Sequence, residues 1–275
     1  MATALRVLVT GASGQLGSYV RECLDECADI DPVYLSGPNS GGPDLADADS
    51  IRRVIAEVRP DAIVHLAGLV GGACEEDPER TRLVNVDAVG TLAMAAATAG
   101  ATQFVFASTA AVYGDQLADP VAEDGPTAGL SAYAASKLAA EDLLRDLALS
   151  GLHRTVLRIF NVYGDGFRGS LVTRLLGSTD EQPVTLNGLD AFVRDYVLAI
   201  DVASAIEASL RFRQPEDFTV YNIGSGEPVS NRELVARLER RQPLHYVTRD
   251  GTPSYSCADI TKARRELGFS PALLA

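Results

Sequence analysis

The stretch LRVLVTGASGQLGS, residues 5–18, constrains the fold more than any other. A short apolar β-type run passes directly into three glycines spaced GxxGxxG (Gly11, Gly14 and Gly17) and then into a helical pattern. A turn this tight brings backbone amides to a helix N-terminus, where they can hold an anion such as a pyrophosphate. Glycines also occur in plain βα turns. Their place in the first βα unit of the chain favours the dinucleotide reading.

The rhythm of the chain supports it. Apolar runs at 5–10, 32–36, 61–67, 103–108 and 155–160 read as buried strands, with helical segments between them at about 14–28, 49–58, 79–99 and 131–150. That alternation predicts an α/β fold: a Rossmann-type doubly wound parallel sheet with ligands beyond the carboxyl ends of its strands. After residue 164 the pattern changes to a loop and helix, short strands in PVTLNG and FVRDYVL, and a helix in VASAIEASLRF. YNIGSGEPVSNRELVARL then reads as strand, turn and helix, with Ser230 and Glu233 as a capping box. The expected division is a dinucleotide-binding domain over 1–164 and a smaller substrate-binding region over 165–275, some of whose segments return to the sheet.

Composition narrows the partners. With 47% apolar and 22% charged residues the chain is an ordinary globular one, and its 275 residues suffice for one sizeable α/β domain. A net charge of −13 argues against a nucleic-acid partner. The longest apolar runs are too short and alanine-rich for a membrane span, and MATALRVLVTGASG lacks the pattern of a secretory signal. Cys23, Cys27, Cys74 and Cys257 form no CxxC pair, which fits reduced thiols and a cytoplasmic location. No metal site is expected: His65 reads as a structural hydrogen-bonder, and His153 and His245 have no partners in sequence.

SAYAASKLAAEDLL, residues 131–144, places Tyr133 and Lys137 at i and i+4, one above the other on a helix face. A free phenol, with a pKa near 10, is no base at neutral pH. An ammonium within about 4–6 Å favours the phenolate and lowers that value, which makes the pair a general acid/base. Alone, such a pair is usually surface decoration. Beside a glycine-rich βα turn it points to chemistry on a nucleotide-bound substrate.

These motifs resemble the extended short-chain dehydrogenase/reductases, particularly their nucleotide-sugar epimerase and reductase branch, and the resemblance covers nearly the whole chain. TGASGQLGS is similar to the cofactor loop, YAASK to the catalytic pair, and FASTAAVYG to the segment bearing the catalytic hydroxyl. The resemblance implies Thr109, Tyr133 and Lys137 as catalytic residues. It implies a cofactor site of Gly11, Ser13, Gly14, Gln15, Leu16, Gly17, Ser36, Asp44, Leu45, Leu66, Ala67, Gly68, Asn85, Ala107, Ser108, Phe160 and Val162, together with Tyr133 and Lys137. Asp44 would touch the adenine amino group. Substrate contacts fall to Thr109, to Asn161 in RIFNVYG, to Arg194 in VRDYVLAIDVA and to Arg249 in RDGTPSYSCAD. Two arginines suit a diphosphate because the guanidinium fork matches phosphate oxygens.

Departures sharpen the expectation. Leu198 and Ile200 stand where the family has a histidine and an aspartate, and GTPS replaces its GDxP. The acid–base pair of the dehydratases is Ala110 and Ala111 here, which argues against elimination of water. The expected activity is 4-epimerisation of a nucleoside-diphosphate sugar through a transient 4-keto sugar. The alternatives are a nucleotide-sugar 4-ketoreductase and, from another class, an inactive NAD(P)-sensing protein. The cofactor is NAD or NADP, with a lean to NAD because no Lys or Arg occurs between Arg21 and Arg52. Ser36, Asn39 and Ser40 are left to bind a ribose or phosphate. A homodimer through the alanine-rich helices is a further expectation.

Overall fold

The computed structural model describes residues 4–115, 118–212 and 216–274. Six parallel strands form the central sheet, in the order Ile30–Leu35, Leu5–Thr10, Ala62–His65, Gln103–Thr109, His153–Ile159 and Phe218–Ile223. Five are the runs expected from the sequence, within a few residues; the sixth comes from beyond residue 164. From Leu5–Thr10 the chain steps outward to Ile30–Leu35, then crosses back to Ala62–His65 on the far side of the first strand. That reversal opens a crevice at the carboxyl ends of the two strands flanking it.

Strand alternation sorts the core into two layers. Val7, Val9, Val64 and Val105 face one side, packed with Val20 and Leu24 of helix Gln15–Asp25 and with Val202 and Ile206 of helix Ala199–Arg211. Leu8, Ile63, Phe104 and Phe106 face the other, against helices Ala48–Val58, Ala88–Thr98 and Ala132–Asp146. The helix expected over 79–99 is built in pieces: Pro78–Arg82, a wider π turn at Leu83–Asp87, and Ala88–Thr98.

Beyond residue 164 the chain divides its material. Helix Ala199–Arg211 and strand Phe218–Ile223 join the main sheet, while strands Asn161–Tyr163, Phe192–Leu198, Pro228–Ser230 and Ser254–Ser256 form a second, smaller sheet. Val184–Asn187 and Tyr246–Arg249 pair beside it. Ser230 and Glu233 make the expected capping box on helix Asn231–Leu238. The fully buried Asp195 pins the lobe, accepting from the amide and hydroxyl of Ser225 at 2.6 and 2.7 Å, from Gly226 at 3.0 Å and from Ala258 at 3.2 Å. Four donors satisfy a carboxylate that would otherwise be costly to bury. Among the described residues, no helix is long and apolar enough to cross a membrane.

His65, at the end of its strand, is fully buried, with Nδ1 2.6 Å from the Thr10 hydroxyl and its ring 5.8 Å from that of Phe106. Burial first, and the Lys137 charge second, push its pKa from 6.5 to about 3. The unfolded chain therefore binds a proton that the folded one refuses between those values. Stability from this group is complete above pH 6.5 and is lost as pH falls towards 3. Acid unfolding measured from pH 7 to 4 is expected to be shallower in a His65→Phe variant.

Candidate active site

The glycine turn is fixed by sterics. Gly11 has φ +74°, and a Cβ there would lie 2.6 Å from the amide nitrogen of Ala67, across the crevice. A Cβ on Gly17 would lie 2.3 Å from the Gly11 carbonyl oxygen, so the helix packs on the turn only without one. Gly14 is the helix N-cap and brings no side-chain acceptor, which leaves the first-turn amides available to an anion. The adjoining cleft, of roughly 420 Å3, is lined by Gly11, Ser13, Gly14, Ser36, Asp44, Leu45, Leu66, Ala67 and Gly68, all expected from the sequence. A bare helix start, an open groove and a carboxylate at its far end fit a dinucleotide.

Arg80, which sequence reasoning missed, lines the same cleft. Its Nη2 donates to both carboxylate oxygens of Asp44, at 3.0 and 3.1 Å, and the Ala46 amide donates to Oδ1 at 3.0 Å. The Ala46 hydrogen bond and Arg80 together hold Asp44 below the usual carboxylate range. Arg80 and Asp44 are 36 residues apart in sequence, so no local pattern pairs them. The side chain of Asn39 lies outside those described.

The catalytic candidates converge on one strand end. Tyr133 and Lys137 leave the same face of helix Ala132–Asp146, which Ser131 caps by accepting from the Ala134 amide at 3.1 Å. Thr109 ends the strand Gln103–Thr109; its hydroxyl accepts from the Ala111 amide at 3.2 Å and lies near enough to Tyr133 to act on the phenol. Lys137 is buried, donates from Nζ to the Ala107 carbonyl at 2.9 Å, and lies 4.6 Å from the centroid of the Phe106 ring. A Cβ on Gly68, which lines the cofactor cleft, would come within 3.5 Å of that Nζ.

The electrostatics differ from the sequence expectation. Burial raises the Tyr133 phenol above its ordinary value, the Thr109 hydroxyl acts the other way, and the Lys137 ammonium is not among the charges that set it. The ammonium is directed at the strand end, onto the Ala107 carbonyl, and not at the phenol oxygen. Burial also lowers Lys137 itself, to about 8, against the opposing charge of Glu141.

Several expected cofactor residues make contacts within the protein. Strand alternation turns Ser108 to the Phe104–Phe106 face, where its hydroxyl donates to the buried Glu141. Asn85, on the π turn, accepts from the Leu69 amide at 2.8 Å and donates to the Leu69 carbonyl and the Ser136 hydroxyl at 3.0 Å each. A buried amide must spend its polar atoms this way. It fixes the 66–69 segment to helix Ala132–Asp146. Leu16 packs into the core, and the Ala107 carbonyl serves Lys137. Gln15 donates from Nε2 to the Gly166 carbonyl at 2.5 Å, outside the cofactor cleft.

Two further cavities, the candidate substrate space, meet at Asn161 and Arg194, which line both. The larger, roughly 700 Å3, reaches from Tyr133 and Val162 to Phe167, Arg174 and Asn187. The smaller, roughly 360 Å3, begins at Thr109 and is lined by Ala110, Ala111, Phe160 and Ser256. Phe160 and Val162 thus wall these cavities and not the cofactor cleft. Arg194 is stacked 3.7 Å over the Phe192 ring, and its Nη2 reaches Ser254 Oγ at 2.7 Å and Asp115 Oδ2 at 3.3 Å. Asn161 donates to the Asp195 carbonyl at 3.1 Å. Arg249 is not brought in: it is exposed on the strand beside Val184–Asn187 and lines neither cavity.

A sequence model described as the NAD dependent epimerase/dehydratase family matches residues 7–224. The chain belongs to that family. This family member is 32% identical to a UDP-glucose 4-epimerase of Azospirillum brasilense, over 98% of the chain and 88% of the relative. Among solved structures it resembles a UDP-glucose 4-epimerase of Thermotoga maritima determined with UDP-glucose. The TM-score is 0.84, with 26% identity, over 98% of this chain and 94% of that one. It also resembles the Thermus thermophilus UDP-glucose 4-epimerase complexed with NAD, with a TM-score of 0.81 and 28% identity over the same shares of the two chains. The family member is accordingly an enzyme that works with a nicotinamide dinucleotide.

Proposed function

We propose that this enzyme interconverts the C4 epimers of a nucleoside-diphosphate sugar, a UDP-hexose first among them. What supports the reading is the grouping of three residues: Tyr133 lines the larger cavity, Thr109 lines the smaller, and Lys137 Nζ lies beside Gly68 of the dinucleotide cleft. A bound oxidised dinucleotide would supply the chemistry of accepting the C4 hydride and giving it back. Thr109 holds the sugar 4-oxygen by its hydroxyl. Tyr133 takes the proton from that oxygen and returns it after the sugar, now a 4-keto sugar, has presented its other face. Lys137 holds the cofactor ribose. Arg194 and Asn161 tether the diphosphate through the turn, and the guanidinium is preorganised for it by Phe192 and Ser254.

Ala110 and Ala111, beside Thr109 in its cavity, are neither acid nor base, and Asp115 in the same cavity is held by Arg194 and Ser254, which supports epimerisation over loss of water. The Asp44 carboxylate neutralises Arg80 in the adenosine half of the cleft, which supports NAD over NADP. UDP-galactose incubated with purified enzyme, no cofactor added, is expected to yield UDP-glucose until the two equilibrate. A strict requirement for added NADH or NADPH, consumed mole for mole, is the result that replaces this reading with a 4-ketoreductase.

A further inference from the structure

The chain holds only two lysines, Lys137 and Lys262; its other cationic side chains are arginines. One of the two is buried beside the candidate catalytic tyrosine, and its surroundings contain a second buried charge that the mechanism leaves unused. Glu141 has no exposed surface. It stands one turn beyond Lys137, so Tyr133, Lys137 and Glu141 lie at i, i+4 and i+8 of one helix face.

Three consecutive residues of the neighbouring strand end dock on those three. The Ala107 carbonyl takes Lys137 Nζ, the Ser108 hydroxyl donates to Glu141 Oε1, and the Thr109 hydroxyl meets Tyr133. Behind Glu141 is Arg158, also buried, whose Nε and Nη2 donate to Oε2 at 3.0 and 2.7 Å. Arg158 is anchored in turn by the Tyr113 hydroxyl at 2.8 Å and the Glu123 carbonyl at 3.0 Å. A buried ion pair adds little net stability over an apolar pair of the same volume, so stability alone does not account for it.

We propose that Glu141 is a positioning residue for the Tyr133–Lys137 pair: its carboxylate locks the strand end against the catalytic helix and is the counter-charge for the buried Lys137 ammonium. The inference rests on the catalytic roles proposed above for Tyr133 and Lys137. Arg158 supplies the cation that allows a carboxylate to sit there. The other groups facing Lys137 are the buried, neutral His65, the Phe106 ring, and Cys74 of helix Ala73–Glu76, whose effect on the ammonium is smaller than that of Glu141.

With two lysines, the test is direct. Enzyme labelled with [ε-13C]lysine gives two NMR signals, and a Lys262→Arg variant assigns them. Lys137 is expected to titrate at about 8 in the parent and at least about one pH unit lower in Glu141→Gln, with Lys262 unmoved as the internal reference. At the parent's midpoint that amounts to a roughly fivefold or greater loss of the charged form. The glutamine can still accept from Ser108, so a purely structural part for Glu141 leaves the titration where it was, and that result overturns the proposal. Glu141→Gln strands the Arg158 charge; if it does not fold, the paired change Glu141→Gln with Arg158→Met carries no lone buried ion and reads the same titration. The readout needs no turnover. A parent that interconverts no sugar nucleotide sinks the proposed function, whereas an active parent with an unshifted Lys137 sinks this inference alone.

Discussion

Tyr133→Phe is expected to slow epimerisation by about 10²–10⁴-fold, the span that a positioned general acid/base commands. The ring keeps its place on the helix and loses only the hydroxyl that meets Thr109. The dinucleotide cleft is lined by other residues, so affinity for NAD is expected to stay within a few-fold of the parent. Steady-state turnover and a cofactor-binding titration on the same preparation separate the two effects. A variant within tenfold of parental turnover assigns the proton to another group. A variant that loses turnover and NAD together makes the tyrosine a binding residue.

The second large effect is on stability. Arg158→Met removes the partner of a fully buried carboxylate, and breaking such a pair costs about 3–5 kcal/mol because the surviving charge has no water to return to. For a chain of this size each kcal/mol moves Tm by roughly 2–4 °C, so the melt is expected to shift by roughly 6–20 °C. The companion double variant, Arg158→Met with Glu141→Leu, is expected to recover most of that loss. Thermal melts of the parent and both variants check the sign as well as the size. Equal melts for the single and double variants show that the carboxylate does not depend on Arg158.

Local physics made much of this molecule readable in advance. Gly11 and Gly17 announce a turn that no side chain fits, and the structure puts backbone atoms where their Cβ atoms would be. Ser230 and Glu233 are three residues apart, and the capping box needs nothing else. Non-local pairings were not readable. Nothing near Phe218–Ile223 says that it lies beside His153–Ile159, because a parallel neighbour is chosen by the whole sheet. Arg80 reaches Asp44 only through the fold. Ser108 is a different case, since Phe104 and Phe106 already mark its face as the inner one. Strand alternation applied one step further takes it away from the cofactor. Arg249 sits at the expected spacing, yet pairing of its strand with Val184–Asn187 leaves the side chain exposed.

The helix that opens at the glycine turn also holds the wall of the larger substrate cavity. Gln15 grips the Gly166 carbonyl, the Tyr19 hydroxyl donates to the Asp165 carbonyl at 2.8 Å, and the Tyr19 ring lies 6.1 Å from Phe167, which lines that cavity. Two ligands that share one support are not gripped independently. Whatever factor the dinucleotide adds to the grip on the sugar nucleotide, the sugar nucleotide returns to the dinucleotide, because the thermodynamic cycle must close.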